Sequence, residues 1–204
     1  MTARDAILAK LGPTRPIAAL TAEADALIGT VERPAVPDDT VTAFLAQLTQ
    51  PSVSATHDAI PSLADLPAAI ARYLDANAGT RALYLPPDPR LAALDWQGLD
   101  LLDACPIDDG AVVALARAGV AETGSLIFET APAAPMLPNF LALHHLVVLD
   151  RASIVAHLED ALLPPGPQPR AHYWVTGVSG TTDIEGQYVR GAHGPRFLHV
   201  ILVG

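Results

Sequence analysis

The chain has 204 residues, half of them apolar and 17% charged, with 22 acidic against 12 basic side chains and a formal net charge of −10. Such a chain can bury roughly 70% of the surface it exposes when unfolded, which excludes disorder and fits one folded domain with a small appendage. No two basic residues are adjacent, and the acidic excess argues against nucleic acid and anionic membrane surfaces as partners.

The opening Thr2–Leu11 predicts a short helix, with Ile7, Leu8 and Leu11 at helical spacing and Gly12-Pro13 ending it. Ala18–Ile28 predicts a further helical stretch in a proline-punctuated region. Residues 1–50 read as a helical N-terminal arm, and residues 51–204 as the main domain. Asp38-Asp39 caps a helix whose apolar face is Val41, Phe44, Leu45 and Leu48. Ser52–Thr56 reads as a strand. Ser62–Asn77 is the strongest helix, with Leu63, Leu66, Ile70, Tyr73 and Leu74 on one side and Gly79 beyond its end.

Arg81–Leu85 reads as a strand, and Leu91–Trp96 as a short helix. Ala111–Ala116 and Ser125–Glu129 are strands joined by Arg117–Gly124. Leu146–Leu149 is an uninterrupted apolar run, as in a strand buried on both faces. Ser153 is read as the cap of a helix over Ile154–Leu163. Four prolines in six residues make Pro164–Pro169 a loop. His172–Thr176 and Leu198–Val203 complete the strands. Alternating strands and helices predict an α/β fold: a three-layer sandwich whose mainly parallel sheet carries helices on both faces.

Several chemistries are excluded by residue counts. Lys10 is the sole lysine and lies in a polar terminal segment, so a phosphate loop with its lysine and a Schiff-base amine are both absent. Cys105 is the sole cysteine, so the chain cannot build an iron–sulfur cluster or a thiolate zinc site by itself. No H-x-x-x-H or H-E-x-x-H spacing occurs, and no metal site is expected. His144 and His145 are adjacent on a strand, so they point to opposite faces and suit structural roles. The N-terminus lacks an apolar signal core, and no apolar run approaches the roughly 18 residues of a membrane span. The expected location is the cytoplasm, with no membrane insertion.

Two segments carry candidate chemistry. Ala121–Ser125 places Glu122, Thr123, Gly124 and Ser125 at a strand end. Glu122 is a candidate base or nucleophile, and Thr123 and Ser125 can donate hydrogen bonds to a ligand. An ordinary turn explains the same residues. Val175–Pro195 gathers Gly177, Ser179, Thr181, Thr182, Asp183, Glu185, His193 and Gly194 after another strand. A Gly/Ser/Thr loop in that position can aim N–H groups at an anion. His193 can move a proton near neutral pH. In open α/β sheets such loops bind ligands beyond the carboxyl ends of the strands.

The spelling of these segments resembles the lactate utilization protein C family, whose members carry a LUD domain. That family reads G-P-S-R-T-A-D-I-E, then G-V-H-G-P, then an apolar terminal strand. Here the text is Gly177-Val178-Ser179-Gly180-Thr181-Thr182-Asp183-Ile184-Glu185, then Gly191-Ala192-His193-Gly194-Pro195, then Leu198–Val203. The family's A-E-T-G-T is similar to Ala121–Ser125. Its P-x-x-H-apolar segment resembles Pro138–Leu149, and Asp95-Trp96 also fits. The match runs from about Leu63 onward with the motifs in order.

The resemblance implies the α/β architecture of ribose-5-phosphate isomerase and CoA-transferase-like proteins. It implies a subunit that accompanies iron–sulfur proteins in oxidising L-lactate to pyruvate, the clusters lying on those partners and none in this chain. Glu122, Asp183, Glu185 and His193 become the candidate catalytic residues. Thr123, Gly124, Ser125, Gly177, Ser179, Thr181, Thr182 and Gly194 become candidate contacts for a small anionic ligand. Two departures stand out. Val178 replaces the family's proline, and Gly180 replaces the arginine that can clamp an anion bidentately. The expected role is accessory or regulatory. The alternatives are a stand-alone enzyme on a sugar phosphate or acyl-CoA, with Glu122 or Glu185 as nucleophile, and a non-catalytic ligand-binding module.

Overall fold

The computed structural model describes residues 2–10, 15–28, 33–161, 166–182 and 184–204. The chain folds as two compact units, Met1–Pro34 and Ala35–Gly204. The first holds α1 (Ala3–Lys10) and α2 (Ile17–Ile28), and neither helix buries a residue. Thr2 and Asp5 cap α1 reciprocally: the Thr2 N–H donates to Asp5 Oδ2 at 2.8 Å, and the Asp5 N–H to Thr2 Oγ1 at 3.2 Å.

The second unit begins at Ala35. Its first helix, α3 (Thr40–Leu48), is capped by Asp39, which accepts from the Thr42 N–H at 3.0 Å. Ala43, Phe44 and Leu48 of α3 are core residues of this unit. A turn at Ser54, where φ is +57°, delays the next strand, so β1 spans Thr56–Ile60 rather than Ser52–Thr56.

Six parallel strands form the main sheet. They are β1, β2 (Ala82–Tyr84), β3 (Asp100–Leu101), β4 (Ala111–Leu115), β7 (His144–Asp150) and β12 (Phe197–Val203), in the order β1-β12-β7-β4-β2-β3. One face packs on α4 (Leu66–Asn77) and on the region of α5 (Pro89–Ala92), through Ile70, Leu74 and Leu91. Ser62 and Asp65 form a capping box just before α4, and Pro67 sits in its first turn, where proline is tolerated.

The opposite face is shared by α3 and a second, four-stranded sheet. That sheet comprises β5 (Ala118–Val120), β6 (Ser125–Glu129), β8 (Ile154–Val155) and β9 (His172–Val175), in the order β8-β5-β6-β9. The layers are therefore helices, parallel sheet, and small sheet plus helix. Two expectations fail here. The connection over Arg117–Gly124 contains strand β5, and the described part of the expected helix, 154–161, is strand β8 followed by a 3-10 turn at Leu158–Ala161, with 162–163 outside the described residues. Asp150 takes up the local backbone instead, by accepting from the Ala152 N–H at 2.9 Å. The β-branched pair Ile154-Val155 then joins β5 in parallel, opposite Gly119 and Val120. A last hairpin, β10 (Gly180–Thr182) and β11 (Tyr188–Arg190), stands apart as a two-stranded ribbon. Among the described residues no helix is long and apolar enough to cross a membrane.

Candidate functional site

The two motif segments are stitched together by hydroxyls. Ser125 Oγ lies 2.6 Å from Thr176 Oγ1 and 2.7 Å from Thr123 Oγ1. Ser125 is buried, so this short chain fixes the exit of β9 against the start of β6. The loop after β9 then turns at Gly177, where φ is +97°. A Cβ at that position would stand 2.6 Å from the Val53 carbonyl oxygen. The Val178 N–H donates to the same oxygen at 3.0 Å. Only glycine combines that backbone angle with that approach. Gly177→Ala is expected to cost at least about 2 kcal/mol, because backbone atoms of Val53 block the methyl group. Urea unfolding checks this, and an unchanged midpoint would refute it.

The halves of the C-terminal motif clamp one another. The Ser179 N–H donates to the Pro195 carbonyl at 3.0 Å, and the Gly191 N–H donates to the Ser179 carbonyl at 2.7 Å. These contacts close one side of a cleft of about 200 Å³. Its motif residues are Thr176, Gly177, Ser179, His193 and Gly194. Asn139, Phe140, His145, Trp174 and Leu198 line the rest, with Val175, Val178 and Pro195.

The cleft lies at the amino ends of the parallel strands, not beyond their carboxyl ends. His145 and Leu198 are the second residues of β7 and β12 and are paired across the sheet. A second cleft of about 320 Å³ occupies the carboxyl edge, beside Leu115, Asp150, Val203 and Arg90. Its described lining includes none of the candidate catalytic or ligand-contact residues.

The other described candidate residues lie outside the motif cleft. The Glu122 carboxylate is partly buried under the chain at 157–158. Its Oε1 accepts from the Leu158 N–H at 2.8 Å, and its Oε2 lies 3.0 Å from His157 Nδ1. That is a positioning contact between β5 and the segment after β8. Gly124 adopts φ +70° against Gln47 and Leu48 of α3. Thr181, Thr182 and Glu185 are exposed on the β10–β11 hairpin. Asp183 lies outside the described residues.

Among the described residues, no arginine, lysine, aspartate or glutamate lines the cleft. Arg190 is engaged elsewhere: its Nε donates to the Arg196 carbonyl at 2.7 Å, and its guanidinium stands 5.3 Å over the Phe197 ring. Gly180 faces Arg190 directly across the hairpin, and a Cβ there would fall on the Tyr188 phenol. An arginine at 180 would meet a like charge on the partner strand. Gly180→Arg is therefore expected to displace Tyr188 and to cost up to about 1 kcal/mol. The loss should shrink in high salt. A stabilised variant, or a salt-independent loss, would count against this account.

His145 is the residue that sequence reasoning undervalued. It is 1% exposed, its ring lies 5.7 Å from that of Phe128, and its Nε2 is buried with no hydrogen-bond partner among the described residues. Burial pushes its imidazole down to about 3. The available signal was a histidine heading an otherwise apolar strand, next to the P-x-x-H resemblance. Asn139 is held by its Nδ2 donating to Tyr173 Oη at 2.8 Å. Trp174 is about half exposed at the rim.

Comparison with known proteins places this arrangement. The family model "LUD domain" matches residues 111–203, which include β4 to β12 and the whole cleft. Lactate utilization protein C of Deinococcus radiodurans is 33% identical over 161 residues, covering 70% of this chain and 71% of that protein. The crystal structure of a DUF162 family protein from the same organism superposes with a TM-score of 0.58 at 23% identity, covering 84% of this chain and all of that one, and shows the shared fold. With its motifs in order, its cleft built from them and its sequence aligned over most of a curated member, the chain belongs to the lactate utilization protein C family and carries the LUD domain.

Proposed function

We propose that this chain serves lactate utilization as an accessory, cytoplasmic subunit of a system that oxidises L-lactate to pyruvate, and that it binds a small ligand in the motif cleft. The observation that carries the reading is the 33% identity to Lactate utilization protein C over 71% of that protein's length. The donor set supports a division of labour. A cluster needs several thiolates, and Cys105 is the sole cysteine. Burial pushes its thiol up, away from thiolate chemistry. Electron-carrying iron–sulfur clusters then belong on partner proteins.

An acyl-CoA mechanism would need an accessible nucleophilic glutamate. Glu122 is held by His157 and Leu158, and neither it nor Glu185 lines the cleft. Those positions favour binding over covalent catalysis by this chain.

Two measurements decide. Tagged full-length protein, purified from cells growing on lactate, should bring iron–sulfur proteins with it. Deletion should stop growth on lactate and spare growth on glucose. If neither is seen, the role is withdrawn.

A further inference from the structure

We propose that the cleft at the carboxyl edge of the main sheet binds a small zwitterion, an α-amino acid with an apolar side chain. This site is separate from the motif cleft and does not depend on the lactate role.

Strand order marks the place. From β2 the chain runs through α5 to the neighbouring β3, on the face that α4 covers. From the adjacent β4 it runs the other way, through β5 and β6 to β7, on the opposite face. The connections thus diverge between β2 and β4. Open α/β sheets bind ligands in the crevice that such a divergence leaves beyond the carboxyl ends of the strands. The cleft of about 320 Å³ lies along that edge. Arg90 lines it from the segment after β2, Leu115 from the end of β4, Asp150 from the end of β7 and Val203 from the end of β12. Its volume is within the range of small-molecule sites, roughly 300–1,000 Å³.

Arg90 supplies a cation that a buried partner aims. Asp88 is 6% exposed, and its carboxylate accepts from Arg90 Nη2 at 2.8 Å and from Arg90 Nε at 3.0 Å. This two-point grip fixes the guanidinium plane and leaves Nη1 without a partner among the described residues. Asp150 supplies the opposite charge. It is exposed, one of its oxygens accepts from the Ala152 N–H at 2.9 Å, and it forms no ion pair among the described residues.

Charge then selects the ligand. Asp88 already neutralises Arg90, so Asp150 leaves the site with a net negative charge. A simple carboxylate such as lactate would meet Arg90 and add a second negative charge beside Asp150. A zwitterion adds none: its carboxylate meets Arg90 Nη1 and its ammonium meets Asp150. Leu63, Leu115, Val148 and Val203 make the rest of the wall apolar, and Val148 is buried at 4% exposure. The charged groups therefore sit at the open side, and an apolar side chain has a surface to cover below them.

Isothermal titration of the full chain at low salt tests this with four probes. They are L-leucine, isocaproate, which lacks the ammonium, isoamylamine, which lacks the carboxylate, and L-lactate. Leucine should bind with a Kd of about 1 mM or tighter, and each of the others about tenfold or more weaker. Asp150→Asn should lose about tenfold toward leucine and narrow its lead over isocaproate. Arg90→Gln should lose a similar factor, but it leaves the buried Asp88 unpaired and can cost the fold. Asp150→Asn is exposed and keeps an oxygen for the Ala152 N–H, so it decides if Arg90→Gln does not fold. Isocaproate, isoamylamine or lactate binding as tightly as leucine overturns the proposal. So does no leucine binding up to about 10 mM, or unchanged leucine affinity in Asp150→Asn. None of these results bears on growth or co-purification, so this site and the lactate role fail separately.

Discussion

Phe44→Ala is expected to lower the free energy of unfolding by about 3–5 kcal/mol, the usual range for emptying a fully buried aromatic site. Phe44 is fully buried and packs in one cluster with Val147, Leu149 and Val200 of the main sheet and Leu126 of the second. Its ring also lies over Gly119, where a Cβ would stand 3.1 Å from one ring carbon and 2.9 Å from Leu149. One side chain thus joins α3 to both sheets. No neighbouring group can relax into the space without moving a strand. The same geometry separates two truncations. Removing residues 1–34 takes away α1 and α2, none of whose own residues is buried, and should leave the melting temperature nearly unchanged. Removing residues 1–50 takes Phe44 and Leu48 with it and should abolish cooperative unfolding. Calorimetry of both truncations and of the point variant checks the set. A folded 51–204 fragment, or a Phe44→Ala loss below about 1 kcal/mol, would show that α3 is dispensable.

Acid should unfold this protein well before its carboxylates protonate. Burial lowers the imidazole of His145 to about 3 and that of His199 to about 4, and it lowers His144 as well. Around His199, Asp58 opposes the shift and His57 adds to it. In the unfolded chain these groups titrate near 6.5. Below that pH the unfolded chain binds protons that the folded one refuses, so each step down favours unfolding. The stabilisation is complete above about pH 6.5 and drains away as pH falls toward 4 and then 3. The His199 shift alone corresponds to on the order of 3 kcal/mol. Its ring is buried, with Tyr73 stacked on it at 4.3 Å and Thr56 Oγ1 2.8 Å from its Nδ1. Asp75 and Asp88, held low by hydrogen bonds from Arg81 and Arg90, lose their contribution only below about 3.8. Denaturant midpoints at pH 7, 6, 5 and 4.5 should fall throughout, with a smaller fall in His145→Leu. A flat profile down to pH 4.5 would contradict the assignment.

What the sequence determined by itself was local. Periodicity located α4, because one stripe of Leu66, Ile70, Tyr73 and Leu74 can only be buried by a helix. The unbroken run at Leu146–Leu149 marked the most buried strand, and alternation put His144 and His145 on opposite faces. Residue counts removed whole chemistries, since one lysine and one cysteine cannot build what needs several. The ordered motifs from Ala121 to Pro195 marked the family.

Tertiary structure decided the remainder, because it turns on distances between residues far apart in the chain. Ile154-Val155 became a strand once β5 offered an edge, which overrode the helical spacing of the following residues. Thr176 joined Ser125 across 51 residues, while Glu122 turned away to His157. The cleft formed at the amino ends of β7 and β12, because the second sheet leaves its gap there. His145 reads in sequence as an opening residue of an apolar strand. Only the packed sheets bury it, with its Nε2 unpartnered among the described residues. Periodicity fixes which face a side chain takes. What stands opposite that face is fixed by packing.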